Sequence, residues 1–194
     1  MRKSGVDKPD TNWPAGLVYR AGFIEEAEEP ELVRRIQELE FSDVHMHGVT
    51  AKRRVAHFGW VYGYKSWRLT PGLPIPEFLL PLRAQAAAFA GVDPEQLVEV
   101  LVTEYRPGAA IGWHRDAPAF GPVVAGVSLL GSCRLRLRRA EDEQRETFSL
   151  ALQPGSAYVL SGPARYQCQH SIPAVNDLRY SVTFRTLRHH SIRK

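Results

Sequence analysis

The chain has 194 residues, a length sufficient for one well-buried core and short for two. Its composition, 44% hydrophobic and 24% charged, excludes the disordered and fibrous classes of protein. No apolar run approaches the roughly 18 residues of a membrane helix, and the formal charge of +4 permits a polyanionic partner without requiring one.

Two helices are predicted in the first half of the chain, after an irregular lead-in over residues 1–16. The first is predicted to begin near Pro30, because apolar residues recur at helical spacing after it and proline is tolerated in a first helical turn. The second is predicted over about 76–91. It would end at Gly91, because glycine suits the left-handed conformation that follows many helices.

The character of the sequence changes near residue 98, where short runs rich in β-forming residues alternate with turn sequences. These runs are VEVLVTEY, PVVAGVSLL, CRLRLRR, ETFSLAL, SAYVLSG and RYSVTFRTL. Closely spaced strands without a long helix between them indicate a β-sandwich or barrel. We predict an α+β protein with one domain over 1–194, comprising the helices and the segment around them in 17–97, a β core in 98–187 and a basic tail in 188–194.

A histidine and an aspartate two positions apart form a candidate metal site. In an extended chain His114 and Asp116 point to the same side, so an imidazole and a carboxylate can converge on one ion. A third ligand must come from elsewhere, and His170, on the predicted strand of QCQHSI, is the candidate. Two histidines and one carboxylate are the ligand set of non-haem Fe(II) sites that use O2. The alternative is a chance H-x-D pair and an ordinary hydrogen-bonded histidine.

Two arginines lie in the otherwise apolar run RYSVTFR. Their even spacing places Arg179 and Arg185 on one face of the strand, with Ser181 and Thr183 between them. A buried guanidinium group is costly unless it meets an anion. One hypothesis is that Arg179 binds the distal carboxylate of a dicarboxylate ligand. The alternatives are a solvent-exposed sheet face or an internal Asp or Glu partner.

Taken together, these motifs resemble the AlkB family of Fe(II)/2-oxoglutarate oxygenases. EYRPGAAIGWHRD, PVVAGVSLL, QHSI and RYSVTFR occur in that order over about residues 98–187. The resemblance implies a double-stranded β-helix (jelly-roll) core with the N-terminal helices packed on it. It also implies that the protein uses Fe(II), 2-oxoglutarate and O2.

The resemblance implies roles for individual residues. The residues expected to bind iron are His114, Asp116 and His170. The residues expected to bind or line the 2-oxoglutarate pocket are Arg179, Tyr105, Thr103, Ser181, Thr183 and Arg185. Of these, Arg179 would pair with the distal carboxylate of 2-oxoglutarate, and Arg185 would support the site from the substrate side.

Two departures from the family pattern bear on these roles. Thr103 stands where the family often has asparagine, and it can still donate a hydrogen bond. Ala117, Pro118 and Ala119 follow the aspartate, where the DNA-repair prototype has acidic residues, one of which contacts the damaged base. The base specificity of the prototype is therefore not transferred to this chain.

The stretch RRVAHFGWVYGYKSWRL is aromatic and basic, and in the family this region forms a lid over the substrate. Trp60, Tyr62 and Tyr64 are candidates for stacking on a base, or alternatively core residues of a β-hairpin. In CRLRLRR, Arg134 and Arg136 lie on the polar face of a strand, which is either a phosphate contact or a solvated face.

The expected activity is oxidative demethylation of N-alkylated bases in DNA or RNA, with alkylated nucleic acid as the partner. One alternative is the same chemistry on a protein side chain, a lipid or a small molecule. Another is a β-barrel that binds metal without turnover.

The N-terminus and the cysteines bear on the cellular compartment. The first residues, MRKSGVDKPDTNW, are polar and build no apolar signal core. Cys133 and Cys168 have no CxxC spacing and are expected to be reduced thiols. We therefore expect a cytoplasmic protein that needs neither a membrane nor an obligate protein partner.

Overall fold

The computed structural model describes residues 13–46, 48–63, 68–139 and 147–188. The strands are β1 Leu17–Arg20, β2 Ser42–Met46, β3 Val49–Gly63, β4 Arg68–Pro71, β5 Glu99–Tyr105, β6 Ile111–His114, β7 Phe120–Leu129, β8 Cys133–Arg139, β9 Thr147–Leu152, β10 Ser156–Leu160, β11 Cys168–Ile172 and β12 Arg179–Leu187. The helices are α1 Glu29–Gln37, α2 Leu80–Ala90 and α3 Gly162–Tyr166, with short 3-10 helices at Glu77–Leu79 and Pro94–Gln96.

These strands form two antiparallel sheets. The large sheet has the order β1-β10-β7-β12-β5-β3-β2, with β4 paired to β3, and the small sheet has the order β6-β11-β8-β9. Most neighbours within a sheet are distant in sequence, because the chain passes from one sheet to the other and back. A jelly roll has this arrangement, so the predicted double-stranded β-helix core is confirmed.

The two predicted N-terminal helices pack on the face of the large sheet that points away from the small sheet. Ile36 of α1 and Leu82 of α2 belong to one buried cluster with Val182 and Phe184 of β12. Gly91 ends α2 in the left-handed conformation, with φ of 68°. The predicted packing of helices on the sheet is therefore confirmed. None of the described helices is long and apolar enough to cross a membrane.

A second cluster fills the space between the two sheets. Leu135 and Leu137 of β8 are fully buried there against Val124 and Leu160 of the large sheet. The arginines that alternate with these leucines consequently lie on the opposite, outer face of the small sheet. The thiols of the two cysteines are free, that of Cys133 partly exposed and that of Cys168 buried.

The segment upstream of residue 98 contains more sheet than the sequence predicts. Strand β3 pairs with β5 over residues 53–59 and with β4 over 60–63, so its first part is a central strand and its second part is a hairpin. The run of cations in KRR hides this strand from pattern analysis. Arg54 is accommodated because it donates two hydrogen bonds, each 2.9 Å long, to the carboxylate of Glu104 on the neighbouring strand.

Candidate metal and cosubstrate site

A cavity of about 520 Å³ lies between the two sheets. From the large sheet it is lined by one face of β12 and the matching face of β5. The small sheet contributes His114 of β6 and His170 of β11. Because alternate residues of β12 point to the helices, Arg179, Ser181, Thr183 and Arg185 all face this cavity.

The structure brings His114, Asp116 and His170 together at one end of the cavity. His114 and His170 are register partners on adjacent strands, and their ring centroids are 4.2 Å apart. Asp116 lies in the loop that follows β6, with its Oδ2 atom 3.7 Å from Nε2 of His170. The predicted trio therefore comes from two neighbouring strands and the loop that leaves one of them.

Both histidines are neutral at pH 7. Burial lowers the pKa of His170 to about 4, and burial also lowers the pKa of His114. Nδ1 of His114 lies 2.9 Å from the carbonyl oxygen of Gly112. When Nδ1 carries the proton and donates a hydrogen bond to that oxygen, the lone pair of Nε2 can bind a metal ion.

Asp116 is a buried carboxylate, only 7% exposed, whose two oxygens have different surroundings. Its Oδ1 atom accepts a hydrogen bond of 2.8 Å from Nε of Arg185 and lies 2.7 Å from Nη2. Its Oδ2 atom is buried and has no hydrogen-bond partner among the described residues. Burial, the largest single effect, would raise the pKa of Asp116, but the neighbouring positive charges, with Arg185 foremost among them, together hold that pKa below its usual range.

These features fit a metal ion of the Fe(II) type. Two neutral imidazoles and one carboxylate oxygen without a partner form the donor set of such a site. The described residues contain no cluster of three His, Cys, Asp or Glu side chains already in metal-binding geometry. Oδ2 of Asp116 and Nε2 of His170 are 3.7 Å apart, close enough for both atoms to bind one ion.

Arg185 also has a second carboxylate partner, which the sequence did not reveal. Its Nη1 atom donates hydrogen bonds of 3.1 and 2.8 Å to the two oxygens of Glu99, its register partner on β5. Glu99 is 1% exposed. Burial raises its pKa to about 7, against the opposing effect of the arginine. The alternative of an internal acidic partner thus holds for this arginine, which links Glu99 to Asp116.

Arg179 has a different environment, although it lies on the same face of the same strand. It is 1% exposed, and its Nε atom donates a hydrogen bond of 3.2 Å to Oγ of Ser128. Its guanidinium carbon lies 4.9 Å from the ring centroid of Tyr105. Its Nη1 atom is buried without a hydrogen-bond partner, and no carboxylate among the described residues forms a salt bridge with it. A buried cation without an acidic partner is costly, and this cost favours an anionic ligand beside Arg179.

The register of β12 and β5 gathers the remaining predicted polar residues beside Arg179. Tyr105 is its partner, Ser181 pairs with Thr103 and Thr183 pairs with Leu101, and all of these side chains line the cavity.

The sequence missed Tyr158, which reaches the same cavity from β10. A Cβ atom on its register partner, Gly126, would clash with the tyrosine ring, so the glycine makes room for it. The run SAYVLSG offers no spacing or charge that would have identified this residue.

Of the predicted aromatic lid residues, the two that the structure describes, Trp60 and Tyr62, do not line the cavity. Tyr62 is 8% exposed and packs against Phe120, with ring centroids 6.1 Å apart, and against Ala117. This favours the core alternative for Tyr62. Trp60 is partly buried and does not line the cavity, and Tyr64 lies outside the described residues.

Other residues form the mouth of the cavity. They are Asp43, His45, Arg53, Trp113 and Arg115. Arg134 and Arg136 lie outside the cavity, on the outer face of the small sheet.

The comparisons with known proteins agree with this geometry. Residues 16–185 match the model of the 2OG-Fe(II) oxygenase superfamily. The chain is 34% identical over 164 residues to the bovine alpha-ketoglutarate-dependent dioxygenase alkB homolog 7, mitochondrial. That alignment covers 80% of this chain and 66% of the bovine protein. It is 30% identical over 210 residues to the Arabidopsis thaliana alkylated DNA repair protein ALKBH8 homolog, over 90% of this chain and 59% of that protein. The chain thus spans less than two thirds of the length of each of these relatives.

The fold has a counterpart among solved structures. The structure of OsALKBH1 superposes with a TM-score of 0.70 at 17% identity, over 88% of this chain and 96% of the other. That likeness concerns the fold, while the superfamily match spans most of the sequence. The chain therefore belongs to the 2OG-Fe(II) oxygenase superfamily as an AlkB-like member, and this membership implies Fe(II), 2-oxoglutarate and O2 as its metal and cosubstrates.

Proposed function

We propose that this protein is a 2-oxoglutarate-dependent dioxygenase that removes methyl groups from N-alkylated bases in DNA or RNA. The observation that carries the oxygenase part is a pair of atoms in the wall of one cavity. Oδ2 of Asp116 and Nη1 of Arg179 are both buried and both lack a hydrogen-bond partner among the described residues. The first is suited to a cation and the second to an anion.

In this proposal His114, Asp116 and His170 hold Fe(II). Arg179 binds the distal carboxylate of 2-oxoglutarate, because its guanidinium group is already oriented by Ser128. The remaining residues of the cosubstrate pocket are Tyr105, Thr103, Ser181, Thr183 and Tyr158. Arg185 does not reach the cosubstrate in this assignment, since it is engaged by the carboxylates of Asp116 and Glu99.

Bound iron would couple the oxidative decarboxylation of 2-oxoglutarate, to succinate and CO2, to hydroxylation of a substrate C–H bond by O2. The protein contributes position and a buried carboxylate: Asp116 is 7% exposed, and Arg185 is foremost among the charges that favour its ionised form. When the oxidised carbon is an N-methyl group, its C–N bond breaks. Formaldehyde leaves, and the nitrogen keeps the electron pair and takes a proton.

Three observations bear on the substrate class. The Arabidopsis relative is named as an alkylated DNA repair protein, and the mouth of the cavity carries Arg53 and Arg115. Against this, the position of the prototype's acidic base contact is occupied by the apolar segment Ala117, Pro118 and Ala119, of which Ala117 is buried. That observation favours the alternative of the same chemistry on a protein side chain, a lipid or a small molecule.

Two further proposals concern the cellular location and the domain organisation. Cytoplasmic location is proposed from the sequence alone, whereas the bovine relative is named as mitochondrial. A single domain over 1–194 is likewise a proposal, since residues 1–12 and 189–194 lie outside the described residues.

The proposed function is tested by measuring succinate and formaldehyde together. Anaerobically purified protein is given Fe(II), 2-oxoglutarate and ascorbate, exposed to air, and offered N-methylated oligonucleotides, methylated peptides and free methylated nucleosides in parallel. Equal amounts of both products with an oligonucleotide would support the proposal. Both products with a peptide or nucleoside alone would contradict the nucleic-acid assignment and leave the oxygenase assignment intact.

Glu99 is predicted to orient the iron ligand through Arg185. In Glu99→Gln the size of the side chain is kept but its charge is lost, so Arg185 is held less firmly against Asp116. We expect the affinity for Fe(II) to fall about 10- to 100-fold, the usual effect of removing a group that orients a metal ligand. Anaerobic calorimetric titration with Fe(II) measures it. Glu95→Gln, at an exposed glutamate, is the matched control, and an unchanged affinity in Glu99→Gln would exclude this role.

A further inference from the structure

A row of arginines covers the outer face of the small sheet, away from the cavity wall. Arg134, Arg136 and Arg138 alternate along β8 with residues that point into the core. Arg134 is exposed, and the other two are half-buried. With Trp113 of β6 they form a continuous surface, here named the arginine face.

No acidic side chain among the described residues balances the positive charge of the arginine face. Within that part of the chain its arginines donate hydrogen bonds to neutral acceptors: Arg134 to Ser149 at 3.4 Å, Arg136 to Ser171 at 3.1 Å, and Arg138 to Gln169 at 3.0 and 2.8 Å. Among the described residues none of them forms a salt bridge, whereas Arg54 and Arg185 do. The four strands of the small sheet contain no Asp or Glu. The face is therefore electrostatically available to an anion.

Trp113 connects the arginine face to the mouth of the cavity. The guanidinium carbons of Arg138 and Arg136 lie 4.3 and 4.9 Å from its ring centroid, in cation–π contact. The same tryptophan lines the cavity, directly before His114 in the chain. A ligand lying along β8 would thus lead to the entrance of the site.

We propose that the arginine face binds the sugar–phosphate backbone of a single-stranded nucleic acid. Alternate residues of a strand are spaced by about 6.8 Å, a repeat comparable to that of successive phosphates in an extended single strand. Hydrogen bonds to Ser171 and Gln169 hold two of the guanidinium groups in place and leave other N–H groups for phosphate oxygens. A single strand fits better than a duplex, because a base must leave its stack to enter a cavity between two sheets. Entry of that base rests on the proposed function, but backbone binding does not.

The test is the fluorescence anisotropy of a labelled, unmethylated single-stranded oligonucleotide titrated with protein at several salt concentrations. The double variant Arg136→Gln/Arg138→Gln removes two charges from the face. The control Arg34→Gln/Arg35→Gln removes two charges from α1. Both variants keep the sequence of the segment 140–146, which lies outside the described residues.

We expect the arginine-face variant to bind about tenfold or more weakly than the control. Its log–log salt slope should also be smaller in magnitude by about 1.4, since each phosphate contact on a single strand contributes about 0.7. Equal weakening in both variants, or an unchanged slope, would overturn the proposal. Binding of the wild type to phosphatidylserine vesicles but not to the oligonucleotide would replace it with a membrane surface. Because the strand is unmethylated, the result is independent of whether the protein demethylates bases.

Discussion

Asp116→Asn is expected to abolish the iron centre while leaving the fold in place. Asparagine keeps the shape of the side chain and can still accept a hydrogen bond from Arg185 at Oδ1. It replaces the anionic Oδ2, which is buried and has no hydrogen-bond partner among the described residues, with a neutral amide. We expect a loss of Fe(II) affinity greater than about 100-fold, the upper range for losing a group that only orients a ligand. Succinate formation should fall to background.

The measurement is anaerobic Fe(II) titration combined with circular dichroism, below the temperature at which either protein unfolds. Circular dichroism is needed because Arg185 loses one of its two charged partners, and breaking a buried pair costs about 3–5 kcal/mol. Asp177→Asn, at an exposed aspartate, is the control and should bind iron like the wild type. A folded Asp116→Asn protein with undiminished iron affinity would show that the metal ligand is elsewhere.

Arg179→Met is expected to weaken 2-oxoglutarate binding and to leave iron binding unchanged. Methionine fills similar space without charge, so the distal carboxylate of the cosubstrate would be buried with no cation beside it. Losing one partner of a buried charge pair costs about 2–5 kcal/mol, which corresponds to an increase in KM of roughly 30-fold or more. Arg179→Lys should restore part of the affinity, since it returns a charge but not the planar fork of donors.

The thermal stability of Arg179→Met gives a second, independent readout. In the absence of ligands Nη1 of Arg179 is buried without a hydrogen-bond partner among the described residues, and such a group is a cost to folding. The ligand-free variant should therefore be no less stable than the wild type, and 2-oxoglutarate should raise its melting temperature less. An unchanged KM, or a simultaneous loss of iron, would argue against a cosubstrate role for Arg179.

The sequence was sufficient for the β core and both N-terminal helices because their patterns are strong. Alternation in CRLRLRR and helical spacing before Gly91 each have one straightforward structural solution. Strand β3 was not predicted as a central strand, because its consecutive cations are not typical of one. Arg54 is stabilised there by Glu104, 50 positions further along the chain. Contacts of that range cannot be seen in a local window.

The site shows the same division between local and distant information. The trio His114, Asp116 and His170 could be proposed from spacing and resemblance, and the structure brings it together. The different charge environments of Arg179 and Arg185 could not be predicted from the sequence. They lie on the same face of one strand. The register with β5 places Glu99 opposite Arg185 and Tyr105 opposite Arg179, so that the first arginine has an acidic partner on that strand and the second does not.

The metal and cosubstrate site is tested most directly by an anaerobic absorbance titration of the Fe(II)-loaded protein with 2-oxoglutarate. We expect a visible charge-transfer band in the wild type, the same band at much higher 2-oxoglutarate concentrations in Arg179→Met, and no band in Asp116→Asn. This measurement needs no substrate, so it tests the metal and cosubstrate site separately from the nucleic-acid proposal. A wild-type protein that binds Fe(II) tightly but develops no band at saturating 2-oxoglutarate would contradict the assignment of this cavity.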